Sequence, residues 1–173
     1  ASQSLSIVRT FASQALDVAA ILDRSNRMIF PTAEARGMFV TLFCGIYEPE
    51  GRVLALANAG HLPPVLVRPG QAPEALDIEG SFPLGLVPDF AADEGSLLLQ
   101  MGDLLVLYSD GVTEAMNGEG ELYGLERLKE CLTHCESLAS AQVVEQVRGS
   151  VREFVGPQEA SDDLTVLVVR VTR

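Results

Sequence analysis

The sequence predicts an α+β fold with mostly antiparallel sheets, and three observations carry that expectation. Short apolar and β-branched runs come in pairs joined by turn residues, as hairpins require. Helical patterns stand apart from the strands instead of alternating with them, which argues against a doubly wound parallel sheet. The chain closes on Leu164 to Val171, an almost unbroken apolar run that fits a strand buried on both faces.

In chain order, Ser4 to about Phe30 reads as helical. Leu5, Val8, Phe11, Ala12 and Ala15 recur at helical spacing, and Asp17 is placed to cap a second run carrying Ile21, Leu22, Ser25 and Ile29. Met38 to Tyr47 and Arg52 to Ala57 flank the turn Glu48-Pro49-Glu50-Gly51 and predict a hairpin. Val65 to Val67, bracketed by Pro63-Pro64 and Pro69-Gly70, predicts a short strand, and Glu79 to Glu94 a long surface loop. Ser96 to Gln100, then Met101-Gly102-Asp103, then Leu104 to Tyr108 suggest a second tight hairpin. Two apolar stripes follow, on Leu125, Leu128, Leu132 and Cys135 and on Val143, Val144, Val147, Val151 and Phe154, each marking a helix.

With 173 residues the whole chain, 1–173, is expected to form a single domain. A net charge of −12 argues against a nucleic-acid partner, since phosphate backbones call for a basic surface. No apolar run approaches the roughly 20 residues of a membrane helix, and no secretory signal pattern is visible. The three widely spaced cysteines suggest no disulfide framework, so a reducing cytoplasm is the expected location.

Three segments are candidates for chemistry. Leu104 to Tyr108 runs into Ser109-Asp110-Gly111-Val112-Thr113-Glu114, which places the Asp110 carboxylate at the end of a buried strand. A carboxylate held there suits a hard cation such as Mg²⁺ or Mn²⁺, while an ordinary Asp-Gly turn is the plainer reading. Ser161-Asp162-Asp163-Leu164-Thr165 puts adjacent carboxylates before the last strand, where they repel unless solvated or bridged by a cation. It also reads as a polar loop between helix and strand. Asn58-Ala59-Gly60-His61 sets a histidine after a strand-end glycine, a position open to proton transfer, phosphate contact or a structural role. The Cys131-Leu132-Thr133-His134-Cys135 cluster reads as core packing, because Cys135 continues the leucine stripe and no further ligands complete a zinc site. Asn117-Gly118-Glu119-Gly120-Glu121 lacks the spacing of a calcium loop.

The order of these segments is more telling than any one of them. Gly37-Met38-Phe39-Val40-Thr41-Leu42-Phe43, Asn58-Ala59-Gly60-His61, Phe82-Pro83-Leu84-Gly85, Tyr108-Ser109-Asp110-Gly111-Val112-Thr113-Glu114, Leu122-Tyr123-Gly124 and Ser161-Asp162-Asp163-Leu164-Thr165 succeed one another as in the PPM-type SpoIIE/RsbU protein phosphatase domain, which the chain resembles from about Ser4 to its end. The resemblance implies two mostly antiparallel sheets sandwiched between helix layers. It also implies hydrolysis of phosphoserine or phosphothreonine by water activated on two Mn²⁺ or Mg²⁺ ions. Asp110 and Asp163 match the family's metal ligands and His61 a phosphate contact or proton donor. Gly60, Thr41, Gly111, Thr113, Glu114 and Asp162 match positions that support or orient those groups, with Asp162 facing away from the metal.

The family's metal site also draws on a Gly-Asp-x-x-Asp and a Gly-Asp-Val-x-Gly segment, and neither occurs in this sequence. The expectation is therefore an N-terminally truncated domain that is inactive alone, with catalysis belonging to a parent protein. Missing strands would leave a sheet edge open to pairing with a second copy. By analogy with the family, the substrate is a small phosphorylated regulator of the anti-anti-sigma (STAS) type, and a sensor or receiver domain is attached. The alternative is a phosphatase-like module that binds a signalling regulator without hydrolysing it.

Overall fold

A computed structural model describes residues 17–78, 80–157 and 163–172. Contacts gather the chain into two compact units, one from Ala1–His61 with Ile78–Leu99 and one from Leu62–Asp77 with Gln100–Arg173. The first predicted helical run and Asp162 lie outside the described residues.

In the first unit, helix α1 (Val18–Arg36) starts where the Asp17 carboxylate accepts the Ala20 N–H at 2.7 Å. It stops at Gly37, whose left-handed φ of 62° lets its N–H reach back to the last carbonyls. The helix runs six residues past the expected end at Phe30, straight through Pro31. Pro31 is exposed, so water can take the carbonyl that its missing N–H leaves free. Buried Val18, Ile21, Leu22, Ser25, Asn26, Ile29 and Ala33 form one stripe.

Strands β1 (Leu42–Glu48) and β2 (Val53–Ala59) form the predicted hairpin, in register from Glu48↔Val53 to Leu42↔Ala59. Val18, Leu22, Ile29 and Ala33 of α1 close a core with Ala57, Ala59, Leu84 and Phe90. The segment expected as a free surface loop is thus tied down. Leu84 and Phe90 are buried, Val40 and Leu84 bridge, and strand β5 (Gly80–Ser81) pairs parallel with Asn58–Ala59.

In the second unit, β3 (Val65–Val67), β4 (Glu74–Ala75), β7 (Leu104–Tyr108) and β8 (Val166–Arg170) form an antiparallel sheet in the order β4-β3-β7-β8. The one-turn helix α2 (Asp110–Thr113), α3 (Gly124–Leu132) and α4 (Ser140–Val155) complete the unit. Leu128, Leu132 and Cys135 pack with Val143, Val147 and Val151 against Val65, Leu104 and Val106, as the two stripes predict. Gln142 reaches back from the first turn of α4 to the Ala139 N–H at 2.9 Å.

Two expectations fail here. The second tight hairpin does not form: β6 (Gly95–Leu98) pairs with β2, whereas β7 pairs with β3 and β8. The turn between them is held by Asp103, fully buried, which accepts the Gln100 N–H at 2.8 Å and pairs with Arg68 at 3.3 Å. The last strand is not buried on both faces. Among the described residues it is the edge of its sheet, with Val166 and Val168 on the core and Leu167 and Val169 exposed at 55% and 46%.

Candidate functional site

The sequence-derived site residues fall into two groups, each within one unit. In the second unit, β7 delivers Ser109 to the N-cap of α2, which leaves Asp110 as the first helical residue with an exposed carboxylate. Asp110 Oδ1 accepts the Gly111 N–H at 3.0 Å. The Ser109 hydroxyl works in both directions, donating to the Asp163 carbonyl at 3.1 Å and accepting the Thr165 N–H at 3.0 Å. The Ser109 N–H also reaches the Thr165 carbonyl at 3.0 Å. A Cβ on Gly111 would lie 2.5 Å from the Asp163 carbonyl oxygen, so glycine is what allows this approach.

The two segments carrying Asp110 and Asp163 are thus clasped through their backbones, and Asp163 is exposed as well. Thr113 and Glu114 close the turn from behind. The Thr113 hydroxyl lies 3.5 Å from the Asp110 carbonyl and the Glu114 N–H donates to it at 2.7 Å.

In the first unit, Asn58 is buried and holds His61 by its backbone. Its Oδ1 accepts the His61 N–H at 2.8 Å and its Nδ2 donates to the His61 carbonyl at 3.0 Å. Gly60 has a φ of 69°, and a Cβ there would meet Pro83 at 2.7 Å. The pairing Leu42↔Ala59 carries exposed Thr41 to the same end of the hairpin. The Asn58 clamp and the two-way Ser109 hydroxyl were not foreseen as functional. An Asn three residues before the histidine is the signal that could have flagged the first, because Asn side chains close such turns.

Asp110 and Asp163 offer hard carboxylate oxygens, the donors that Mg²⁺ and Mn²⁺ prefer. Among the described residues no three His, Cys, Asp or Glu side chains are grouped to hold a metal. The two carboxylates could supply only part of such a cation's coordination shell. Burial pushes the Cys44 and Cys135 thiols up, away from the reactive thiolate. Among the described residues no helix is long and apolar enough to cross a membrane.

Comparison with known proteins gives a consistent result. The profile of the family described as Stage II sporulation protein E (SpoIIE) matches residues 1–172. The chain is 31% identical to Protein IcfG of Synechocystis over 76% of its own length and 20% of that protein. It is 30% identical to Phosphoserine phosphatase RsbU of Bacillus subtilis over 87% of its length and 44% of that protein. The chain thus spans less than half the length of these curated relatives. Among solved structures, the SiaA-PP2C domain of Pseudomonas aeruginosa superposes with a TM-score of 0.83 at 19% identity, covering 96% of this chain and 67% of that one. The manganese-presoaked phosphatase domain of SpoIIE from Bacillus subtilis gives 0.64 at 19% identity, covering 99% and 74%. These likenesses establish the PP2C fold, with its two mostly antiparallel sheets and helices.

Proposed function

The chain belongs to the SpoIIE family, and from that premise we propose that it is the catalytic domain of a metal-dependent protein phosphatase that dephosphorylates serine or threonine. The observation that carries this reading is the clasp that holds the Asp110 turn against the Asp163 segment. Asp110 and Asp163 are the residues assigned to hold Mn²⁺ or Mg²⁺. Such an ion, when bound, supplies a water of lowered pKa and positive charge for the phosphoryl oxygens. That charge would let a protein of net charge −12 accept an anionic substrate.

Gly111 admits the close backbone approach, while Thr113 and Glu114 fix the Asp110 carbonyl and with it the aim of the carboxylate. His61, held by Asn58 with Gly60 and Thr41 beside it, is assigned to phosphate contact or to protonation of the leaving oxygen. The substrate in this reading is a small phosphorylated regulator of the anti-anti-sigma type. The domain belongs to a longer cytoplasmic protein that carries a sensor or receiver. The name of RsbU, a phosphoserine phosphatase, supports the reaction type.

Two carboxylates are too few for a two-ion site, and the sequence has neither Gly-Asp-x-x-Asp nor Gly-Asp-Val-x-Gly. The 173-residue chain alone is therefore expected to be inactive. The test is Mn²⁺-dependent phosphate release from a phosphoserine peptide, by the chain alone and by the chain joined to whatever its gene encodes before it. Activity is expected only in the longer protein, and Asp110→Asn should lower it at least about a hundredfold, the scale of losing a key electrostatic group. A longer protein with no metal-dependent activity would refute the reading. Activity that survives Asp110→Asn would remove that residue from the metal site.

A second reading, a non-catalytic module that binds a signalling regulator, is favoured by the absence of a three-ligand group among the described residues. It predicts that the regulator binds with Mn²⁺ absent and that phosphate is never released.

A further inference from the structure

The Phe82-Pro83-Leu84-Gly85 segment is not used by the proposed chemistry, yet it forms one side of a groove in the first unit. The groove has a volume of about 450 Å³, and its lining includes Phe82, Pro83, Val87, Phe90, Asp89 and Asp93. Its lining carries the carboxylates of Asp89 and Asp93 and the exposed Phe82, with no basic residue among the described ones. Pro83 is also the residue against which Gly60 packs, so the groove shares a wall with the His61 turn.

The surface beside the groove is apolar. Met38, Phe39, Phe82 and Leu86 are exposed at 52%, 59%, 63% and 50%. They flank a single bridge in which Val40 and Leu84 exchange backbone hydrogen bonds of 2.9 and 2.8 Å. Large apolar side chains clustered on a surface mark a site for another protein.

We propose that the groove receives an arginine or lysine side chain of the phosphatase's protein partner, whose neighbouring apolar residues rest on Met38, Phe39, Phe82 and Leu86. The proposal rests on the phosphatase reading only for the identity of that partner. Charge complementarity selects the occupant: Asp89 and Asp93 repel an anion and attract a cation. The exposed Phe82 ring beside them gives the methylene stem of such a side chain an apolar surface to lie on. A bare metal ion would leave the exposed apolar side chains beside the carboxylates uncovered. The apolar surroundings favour a protein over a free cationic metabolite, which would leave them uncovered. The partner is thus recognised by a basic residue flanked by apolar ones, presented beside His61.

The test uses the whole 173-residue chain, ¹⁵N-labelled, without added metal. The probe is an acetylated, amidated Gly-Leu-Arg-Leu-Gly peptide, compared with the same peptide carrying neutral citrulline for arginine. Amide shifts at Gly80, Ser81 and Ala91 report the groove. The arginine peptide should bind about fivefold more tightly, the scale of two exposed ion pairs. Asp89→Asn with Asp93→Asn should reduce it to the citrulline level, and Phe82→Ala should weaken both peptides. Both aspartates are exposed, and Asp93→Lys alone repeats the test should the double variant fold poorly.

Equal affinity of the two peptides would overturn the proposal. So would an arginine preference that survives loss of both carboxylates, or shifts confined to other regions. Mg²⁺ alone producing the same shifts and displacing the peptide would assign the groove to a metal instead. No outcome depends on phosphate release, so failure here leaves the phosphatase reading standing, and the reverse holds too.

Discussion

Gly111→Ala adds one carbon and tests the clasp between Asp110 and Asp163 directly. The new Cβ would sit 2.5 Å from the Asp163 carbonyl oxygen and 3.0 Å from its carbonyl carbon. Both are backbone atoms and cannot swing aside as the end of a side chain can. The two segments must part by several tenths of an ångström, the overpacking regime that costs about 1–3 kcal/mol. Parting them strains three hydrogen bonds between Ser109 and the Asp163–Thr165 segment, each worth about 1 kcal/mol.

Gly111 is not among the glycines of positive φ, so alanine meets no backbone penalty and the effect is steric. A net loss of about 2 kcal/mol lowers the melting temperature by about 4–8 °C in a chain of this size. The control is Gly149→Ala in α4, where an added Cβ meets nothing within 4 Å. The same chemical change there should stabilise by about 0.5–1 kcal/mol, because alanine is the better helix former. Thermal melts followed by circular dichroism read both variants. Gly111→Ala melting within about 1 °C of the unaltered chain would refute the clasp, and with it the placement of the two carboxylates on adjoining backbone.

Two further predictions concern buried polar groups. Asn26 is fully buried, donating to the Val87 carbonyl at 3.0 Å and accepting the Gly85 N–H at 2.7 Å. Asn26→Ala strands both backbone groups and should cost about 2–4 kcal/mol, seen as a lower urea midpoint at unchanged slope; a loss under about 1 kcal/mol would contradict this packing. Burial pushes the Tyr123 phenol from 10.0 up to about 12, against the pull of its hydrogen bond to the Ser150 hydroxyl at 2.7 Å. A raised folded-state value means the contribution of Tyr123 is full below pH 10 and is lost as the pH climbs through about 12. Tyr123→Phe should therefore be about 1 kcal/mol less stable at neutral pH and lose less stability than the unaltered chain between about pH 8 and pH 11 by urea melts. Equal losses in the two proteins would refute this account.

How much of this was legible in the sequence depends on whether the signal was local. The β1–β2 hairpin, the β3 strand between its proline and glycine brackets, and the apolar stripes of α3 and α4 all follow from neighbouring residues. Gln100 to Asp103 looks like a hairpin turn for the same reason, but a turn does not decide which strand lies beside which. What separates the two strands is a burial period that only the structure shows. Gly95–Leu98 alternates between covered and exposed, as a strand with one solvated face does, while Leu104–Tyr108 is buried almost throughout. The apolar run at the end misled in the opposite way, because composition reports what a strand could bury and not how many neighbours it has. On this strand, at the sheet edge among the described residues, Leu167 and Val169 stay about half exposed.

The candidate site divides along the same line. The residue types at Ser109-Asp110-Gly111 and at Asp163 could each be read as a possible cation site, but only the family resemblance joined them, because more than fifty residues separate them. What brings them together is the β7–β8 register. Tyr108 pairs with Val166, so the next residues along, Ser109 and Thr165, face one another, and Asp163 follows immediately over Gly111. A slip of one residue would turn every side chain of β8 to the opposite face and carry the Asp163 carbonyl away from the Ser109 hydroxyl. Val166 and Val168, packed on the core, hold that register. The half-buried valines of an edge strand therefore position the two carboxylates as directly as the residues that flank them.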